Sequence, residues 1–438
     1  MSRATLRAAR FRAGVVAAAV TVVCASVPVV AANASTARGA SQSYVIMLKG
    51  GTSAPRDASE LGVTPQFTYS SLGGYSAMLD ARALQRVRSD PNVLLAVPDT
   101  TFAGVGGGHP QAIEAPGIRC RKAPNTFCRA KQYPQFIPTN LERVGLARSP
   151  TAKIDGGGPG IDVNVAVLDT GIELHNPELN VVGGVNCSTP GGPDDFHDVF
   201  GHGTQVSSII AAEDNSFGVV GVAPGANLFS VRVLDSKDRG KLSTVLCGLD
   251  WVIAHHRTIK VANMSLEGPG QDDHDCGLRN HDPLHFAVCR AVADGVTVVA
   301  AAGNDAVNAS TIVPAAYAEV ITVSGYSDTD GRPGGAGAPC DGFNDDVFAP
   351  FSNYGRAVDI AAVATCDVTD YLQGTIAGNA GTSFAAPAVS GAAALIVSRH
   401  PNLSPLAVKL LIEAERSRQP IPGDPDKIDE GLLNLSHL

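Results

Sequence analysis

A chain of 438 residues with 17% charged residues, 47 Gly and 28 Pro is longer than one compact unit needs and contains no repeat or low-complexity tract. This excludes a fibrous or disordered protein and predicts two folded parts with removable or linking segments. The formal charge of −9 becomes −13 once residues 1–34, which hold four Arg and no acid, are set aside, and that balance argues against nucleic acid or anionic membrane as a partner.

Arg3, Arg7, Arg10 and Arg12 precede an apolar run from Gly14 to Ala32, closed by Ala32-Asn33-Ala34. The pattern predicts a secretory leader over residues 1–34, with an A-x-A cleavage site and an extracellular destination. An uncleaved membrane anchor is the alternative, but Thr21, Cys24, Ser26 and Pro28 interrupt the run. Cys24 falls within the leader, so Cys120, Cys128, Cys187, Cys247, Cys276, Cys289, Cys340 and Cys366 remain. An even set in an exported chain predicts disulfides, and short separation suggests Cys120 with Cys128 and Cys276 with Cys289.

Beyond the leader, a small α+β unit spans residues 41–102. Tyr44 to Leu48 reads as a strand, Phe67 to Leu79 as two strands joined at Gly73-Gly74, Ala81 to Arg88 as a helix, and Val93 to Val97 as a last strand. A first helix near Asp57 to Leu61 is short. The Gly-rich stretch Gly104 to His109 has no periodicity, so residues 103–132 read as an accessible, cleavable linker. Over residues 133–415, apolar runs at Val163–Leu168, Leu228–Val233, Val261–Met264, Val296–Ala301 and Val320–Val323 alternate with helical stretches at Thr204–Ala212, Ser243–His255, Phe286–Asp294 and Ser383–His400. The alternation predicts an α/β domain, a parallel sheet with helices on both faces. Residues 416–438 read as a tail.

Three local signatures carry chemistry. Val165-Ala166-Val167-Leu168-Asp169-Thr170-Gly171 sets an acid at the C-terminal end of a buried strand, where open α/β sheets gather their sites. Gly201-His202-Gly203-Thr204 sets a His at a helix start between glycines. Gly381-Thr382-Ser383-Phe384-Ala385-Ala386-Pro387 starts a helix with Ser in its first turn, where free N–H groups favour developing negative charge. A serine hydroxyl needs a base to take its proton and an acid to orient that base, and Asp169, His202 and Ser383 supply the set.

In this order and with these flanks, residues 133–412 resemble the subtilisin-like serine peptidases. The resemblance implies a serine endopeptidase needing no cofactor for catalysis. It implies that Asn304, in Ala300-Ala301-Ala302-Gly303-Asn304, donates to the tetrahedral oxyanion with the Ser383 N–H, and that Thr382 supports the pocket. Substrate would lie along Asn263-Met264-Ser265-Leu266-Glu267-Gly268, so Ser265, Leu266, Glu267 and Gly268 are its expected contacts. The family usually has Gly where Glu267 stands; Glu267 either faces solvent, the favoured reading, or draws basic side chains into the cleft. The loop Asp214-Asn215-Ser216-Phe217-Gly218-Val219 resembles the family's calcium loop, and the resemblance implies structural calcium at Gln135, Glu178, Glu213, Asn215, Phe217 and Val219, held by hard oxygen ligands. A second acidic group, Asp272, Asp273, His274, Asp275, His281, Asp282 and His285, lacks ordered ligand spacing and reads as a solvated loop.

Residues 41–102 resemble the family's ferredoxin-like propeptide, with Tyr44-Val45-Ile46-Met47-Leu48-Lys49 and Gly74-Tyr75-Ser76-Ala77 as its marks. The implied partners are protein or peptide substrates and the chain's own propeptide, which assists folding and then inhibits; a monomer is expected. A catalytically inactive binding protein on the same fold is the rival reading, but it should have lost one of the four catalytic side chains. A serine esterase of the α/β-hydrolase type would place its acid and His after the Ser, the reverse of this order.

Overall fold

The computed structural model describes residues 40–106, 128–158, 160–192, 194–428 and 430–438. The predicted leader, most of the predicted linker and Cys120 of the suggested Cys120–Cys128 pair lie outside the described residues. Cys128 itself is disulfide-bonded.

The first strand, β1 (Gln42–Leu48), shows how one alternating sequence serves two purposes. Tyr44, Ile46 and Leu48 point to the unit's own helices, α1 (Ala54–Glu60) and α2 (Ala81–Ser89), while Val45 and Met47 join a different core. With β2 (Pro65–Tyr69), β3 (Gly74–Leu79) and β4 (Val93–Pro98) it forms an antiparallel sheet in the order β2-β3-β1-β4, the βαββαβ arrangement. Asp80 caps α2 by accepting the Ala83 N–H at 2.7 Å.

The larger part is built on an eight-stranded sheet. In chain order its strands are β6 (Asn164–Asp169), β7 (Val181–Asn186), β8 (Asn227–Arg232), β10 (Ile259–Met264), β12 (Thr297–Ala301), β14 (Ile321–Ser327), β15 (Val347–Phe348) and β16 (Ile360–Val363); β5 (Thr101–Gly104), β9 (Arg239–Lys241), β11 (Leu266–Pro269) and β13 (Ile312–Val313) form a separate sheet. The spatial order is β15-β14-β12-β10-β6-β8-β7, with β16 parallel beside β14 and only β15 antiparallel. Period-two alternation splits β6 between two cores: Val165 and Val167 pack with α3 (His202–Ala211) and α6 (Thr382–Arg399), whereas Ala166 and Leu168 pack with α4 (Leu242–Ala254) and α5 (Pro283–Ala293). Burial on both faces is why these strands read as continuous apolar runs.

Helix α6 is buried from Thr382 to Val397, and its small residues make that possible: a Cβ on Gly391 would lie 2.5 Å from the Val222 Cβ. Among the described residues, no helix is long and apolar enough to cross a membrane.

Two sequence expectations change and one holds. Residues 416–438 are not a free tail, because Leu432, Leu433 and Leu435 are buried and the Ala361 N–H donates to the Gly431 carbonyl at 2.9 Å. The acidic group around Asp272 is not simply solvated: His285 is fully buried, with Nδ1 3.1 Å from Asp273 Oδ1 and Nε2 3.1 Å from Glu319 Oε2. Asp273 also accepts from four backbone N–H groups, which lowers its pKa although burial acts the other way. Finally, Cys276–Cys289 forms as expected, and Cys187–Cys247 and Cys340–Cys366 join it.

Candidate active site

Asp169 ends β6 and is fully buried. Its Oδ1 accepts the Thr170 N–H at 2.7 Å and lies 2.8 Å from His202 Nδ1, with Oδ2 at 3.0 Å. His202 opens α3, and the flanking glycines are there for space and backbone shape. Gly201 has φ 108°, and a Cβ on Gly203 would fall 2.1 Å from the Gly171 carbonyl oxygen. Asp198 holds this turn by accepting from Gly201 N at 2.8 Å and Thr204 N at 3.0 Å, a carboxylate at a helix N-terminus.

Burial opposes the His202 imidazolium, but the neighbouring Asp169 and Asp238 carboxylates outweigh it and push the pKa up to about 9. His202 Nε2 is buried and makes no hydrogen bond among the described residues.

Ser383 is the second residue of α6. Four residues on, Pro387 has no N–H to return to the Ser383 carbonyl, and Ser265 Oγ donates to that oxygen instead at 3.0 Å. Thr382 fixes the neighbouring Asn304. Its N–H and Oγ1 donate to Asn304 Oδ1 at 2.9 and 3.0 Å, while its Oγ1 accepts the Gly303 N–H at 3.1 Å. With Oδ1 taken twice, the Asn304 amide nitrogen must face the other way.

What it faces is the chain's own residue Val105. Asn304 Nδ2 and Ser383 Oγ both donate to the Val105 carbonyl oxygen, each at 2.6 Å. The segment leading there is no accessible linker: β5 (Thr101–Gly104) is inserted between β9 (Arg239–Lys241) and β11 (Leu266–Pro269), with β13 (Ile312–Val313) beyond. Antiparallel pairing sets Gly104 opposite Leu266 and Ala103 opposite Glu267, and the Val105 N–H donates to the Ser265 carbonyl at 3.1 Å. Strand addition satisfies backbone groups that a linker would leave in water. Phe102 is 2% exposed and lies over Gly268, where a Cβ would fall 2.5 Å from its ring. Burying that ring contributes about 2–3 kcal/mol to the hold. The small unit also docks on α4: Asp99 accepts from Ser243 N and Oγ at 2.8 Å, and Asp250 accepts the N–H groups of Ser70, Ser71 and Leu72.

The favoured solvent-facing reading of Glu267 is corrected. The side chain is half-buried and lines a cavity of about 530 Å³ with Val105, Asn304, Asp305 and Asp341. Burial, then Asp305, raises its pKa to about 7, and Oε2 has no partner among the described residues.

The expected calcium residues also come together. Gln135 accepts the Asn215 N–H and donates to Asp214, Asn215 Nδ2 lies 3.4 Å from Glu178 Oε1, and the Glu213 N–H donates to the Glu178 carbonyl at 2.9 Å. Phe217 and Val219 form bridges to Pro134 and Phe136. Glu178 is fully buried, its Oε2 has no partner among the described residues, and burial raises its pKa to about 8.

Sequence reasoning missed Asp198, Asp238 and Val105. The first two look like ordinary turn acids, with no local mark of burial. Val105 carries a signal in retrospect, because Thr101 to Val105 is a short strand-like run before glycines.

The subtilase family model matches residues 160–426. Subtilisin NAT of Bacillus subtilis subsp. natto is 30% identical over 380 residues, covering 86% of this chain and 83% of that protein. A subtilisin of Bacillus pumilus is 36% identical over 304 residues, 69% of this chain and 98% of that one, and subtilisin BL of Lederbergia lenta is 37% identical over 275 residues, 63% and 89% respectively. With the family model spanning more than half the chain and relatives aligned along most of their own length, this chain belongs to the subtilase family and is a serine endopeptidase.

Proposed function

We propose that this is an exported zymogen whose own Ser383 cuts the Val105–Gly106 bond, freeing a peptidase that begins at Gly106 from an inhibitory propeptide ending at Val105. The observation that carries the reading is the Val105 carbonyl, held by Ser383 Oγ and Asn304 Nδ2 together. Ser383 Oγ attacks the Val105 carbonyl carbon while His202 takes its proton and Asp169 steadies the imidazolium. The oxyanion is held by Asn304 Nδ2 and the Ser383 N–H. Collapse leaves Val105 as an ester on Ser383, and His202 returns its proton to the Gly106 amine. Water, activated by the same histidine, then hydrolyses the ester. A peptide substrate would take the same lane between Arg239–Lys241 and Leu266–Pro269, with Thr382 keeping Asn304 aimed. The 380-residue match to subtilisin NAT is longer than residues 133–438 can supply, which supports a related N-terminal unit. Sequencing the exported wild-type protein is expected to find Gly106 as its first residue. A mature N-terminus at any other bond would overturn the processing assignment.

The calcium reading rests on the orphaned Glu178 Oε2, which lies beside Gly218 of the 214–219 loop, with the Asn215 amide at Glu178 Oε1 and Gln135 bonded to the same loop. The donor set fits a hard cation. Gln135 Oε1 accepts the Asn215 N–H and Asn215 Oδ1 accepts the Phe217 N–H, so both amide oxygens are oriented by the loop. When bound, the cation would supply structural charge balance and no catalytic step. Folded Glu178 keeps its proton up to about 8, against an ordinary 4.5, so between those values the folded state binds more protons than the unfolded chain. Stability therefore falls as pH rises through that window, unless a cation replaces the proton. Calcium is expected to slow thermal inactivation little at pH 5 and strongly at pH 8. Chelation without effect at pH 8 would remove the site.

Glu267 supplies a further expectation. With its carboxylate beside the residue that precedes the scissile bond, Glu267→Lys should lower kcat/KM about tenfold for peptides with Lys or Arg there, relative to Val. Unchanged relative rates would assign Glu267 to wall structure alone.

A further inference from the structure

We propose that Asp238 reads the second residue before the scissile bond, and that the enzyme prefers Lys, Arg or Gly there and rejects acidic side chains. The inference rests on the cleft reading given under Proposed function. Asp238 closes the turn between Asn227–Arg232 and Arg239–Lys241 in a left-handed conformation, φ 60°. Its carbonyl accepts the Gly104 N–H at 3.1 Å, which fixes the turn against the strand in the cleft.

The carboxylate lies where the next side chain would begin. A Cβ on Gly104 would fall 2.2 Å from Asp238 Oδ1 and 2.4 Å from Oδ2, and one on Gly106 would fall 3.7 Å from Oδ2 and 3.0 Å from the His202 ring. Glycine is thus the residue that leaves Asp238 undisturbed in the precursor. Oδ1 is buried with no hydrogen-bond partner among the described residues. Burial disfavours the charge, His202 favours it, and Asp169, Asp198 and Asp235 oppose it.

There is room for it to move. A hollow of about 420 Å³, lined by Ala103, Gly104, Phe200, Lys237 and Arg239, opens beside Asp238. A side chain larger than hydrogen at the second position must swing Asp238 outward into that hollow. A Lys or Arg stem then follows the carboxylate and pairs with it directly, beside Lys237 and Arg239 on the wall of the hollow. A Glu meets it as a second anion, and a Leu displaces it with no compensating partner.

Peptides Thr-Phe-Ala-X-Val carrying a fluorogenic amide, with X as Gly, Leu, Lys or Glu, test this on the mature enzyme. The wild type is expected to show kcat/KM for Lys about 30-fold above Glu. Asp238→Asn should bring that ratio within about threefold, and Asp238→Lys should invert it. Failure to cleave any of the peptides would overturn the cleft assignment and this inference with it. Cleavage with a Lys to Glu ratio near one in the wild type, or a ratio that survives in Asp238→Asn, would overturn this inference alone.

Discussion

Ser383→Ala is expected to leave the chain uncut at Val105–Gly106, with its propeptide attached, whereas the wild type made under the same conditions is recovered without it. The expectation follows from position. The small unit is anchored through Asp99 and Asp250 at either end of the 242–254 helix, and residues 101–104 are paired on both sides, so the bond beside Ser383 is presented intramolecularly. Held this way, the first cut has no encounter step and runs at high effective concentration. Alanine removes one oxygen and adds no bulk. The Asn304 contact to Val105 and the strand pairing survive, so the variant should fold and dock as the wild type does. Loss of the nucleophile lowers turnover by about 10⁶-fold, which turns processing within minutes into no visible processing. His202→Ala should accumulate the same precursor, because a protonated hydroxyl without a base does not attack. Each variant must be made alone, since active enzyme could trim the precursor in trans. Cleavage of Ser383→Ala at Val105–Gly106 under those conditions would assign maturation to another protease.

The parts legible in the sequence were those whose meaning is local. Asp169, His202 and Ser383 each sit at the end or start of one element, with glycines or a proline that the element itself requires, so a few adjacent letters carry the signal. The buried parallel sheet was legible for a similar reason, since strands covered on both faces have to be apolar throughout. What escaped depends on partners far along the chain. Gly104 is held as strand by residues 239–241 and 266–269 on either side of it, and the short run Thr101 to Val105 does not by itself encode those partners. Glu267 turns into the cavity beside Val105 and Asn304, a choice set by the cleft and not by its neighbours. Asp238 looks like any polar turn residue until Gly104 is laid across it. The C-terminal Leu432, Leu433 and Leu435 are apolar enough to have been read as core, but their docking site is the sheet edge at Ala361, some seventy residues earlier.

Asn304→Ala should lower kcat by about 10²- to 10³-fold with little change in KM, the scale of one oxyanion donor. The distinction between the two constants follows from how the amide is held. Thr382 occupies Asn304 Oδ1 with two donors, so Nδ2 is aimed before substrate arrives and costs no reorganisation when charge appears. In the ground state the carbonyl oxygen is only weakly basic, and strand pairing supplies most of the binding; removing the donor leaves that pairing intact. In the tetrahedral state the same oxygen carries a full charge in a buried site, where a fixed donor is worth about 3–4 kcal/mol. Asn304→Asp should be worse than alanine, because a carboxylate would face the oxyanion. Thr382→Val, which keeps the shape and the backbone N–H donor to Oδ1 but removes the hydroxyl donor, should give a smaller loss, since the amide is still oriented, by one donor instead of two. Steady-state kinetics on one peptide would separate these cases, and an unchanged kcat in Asn304→Ala would leave the Ser383 N–H as the donor that matters.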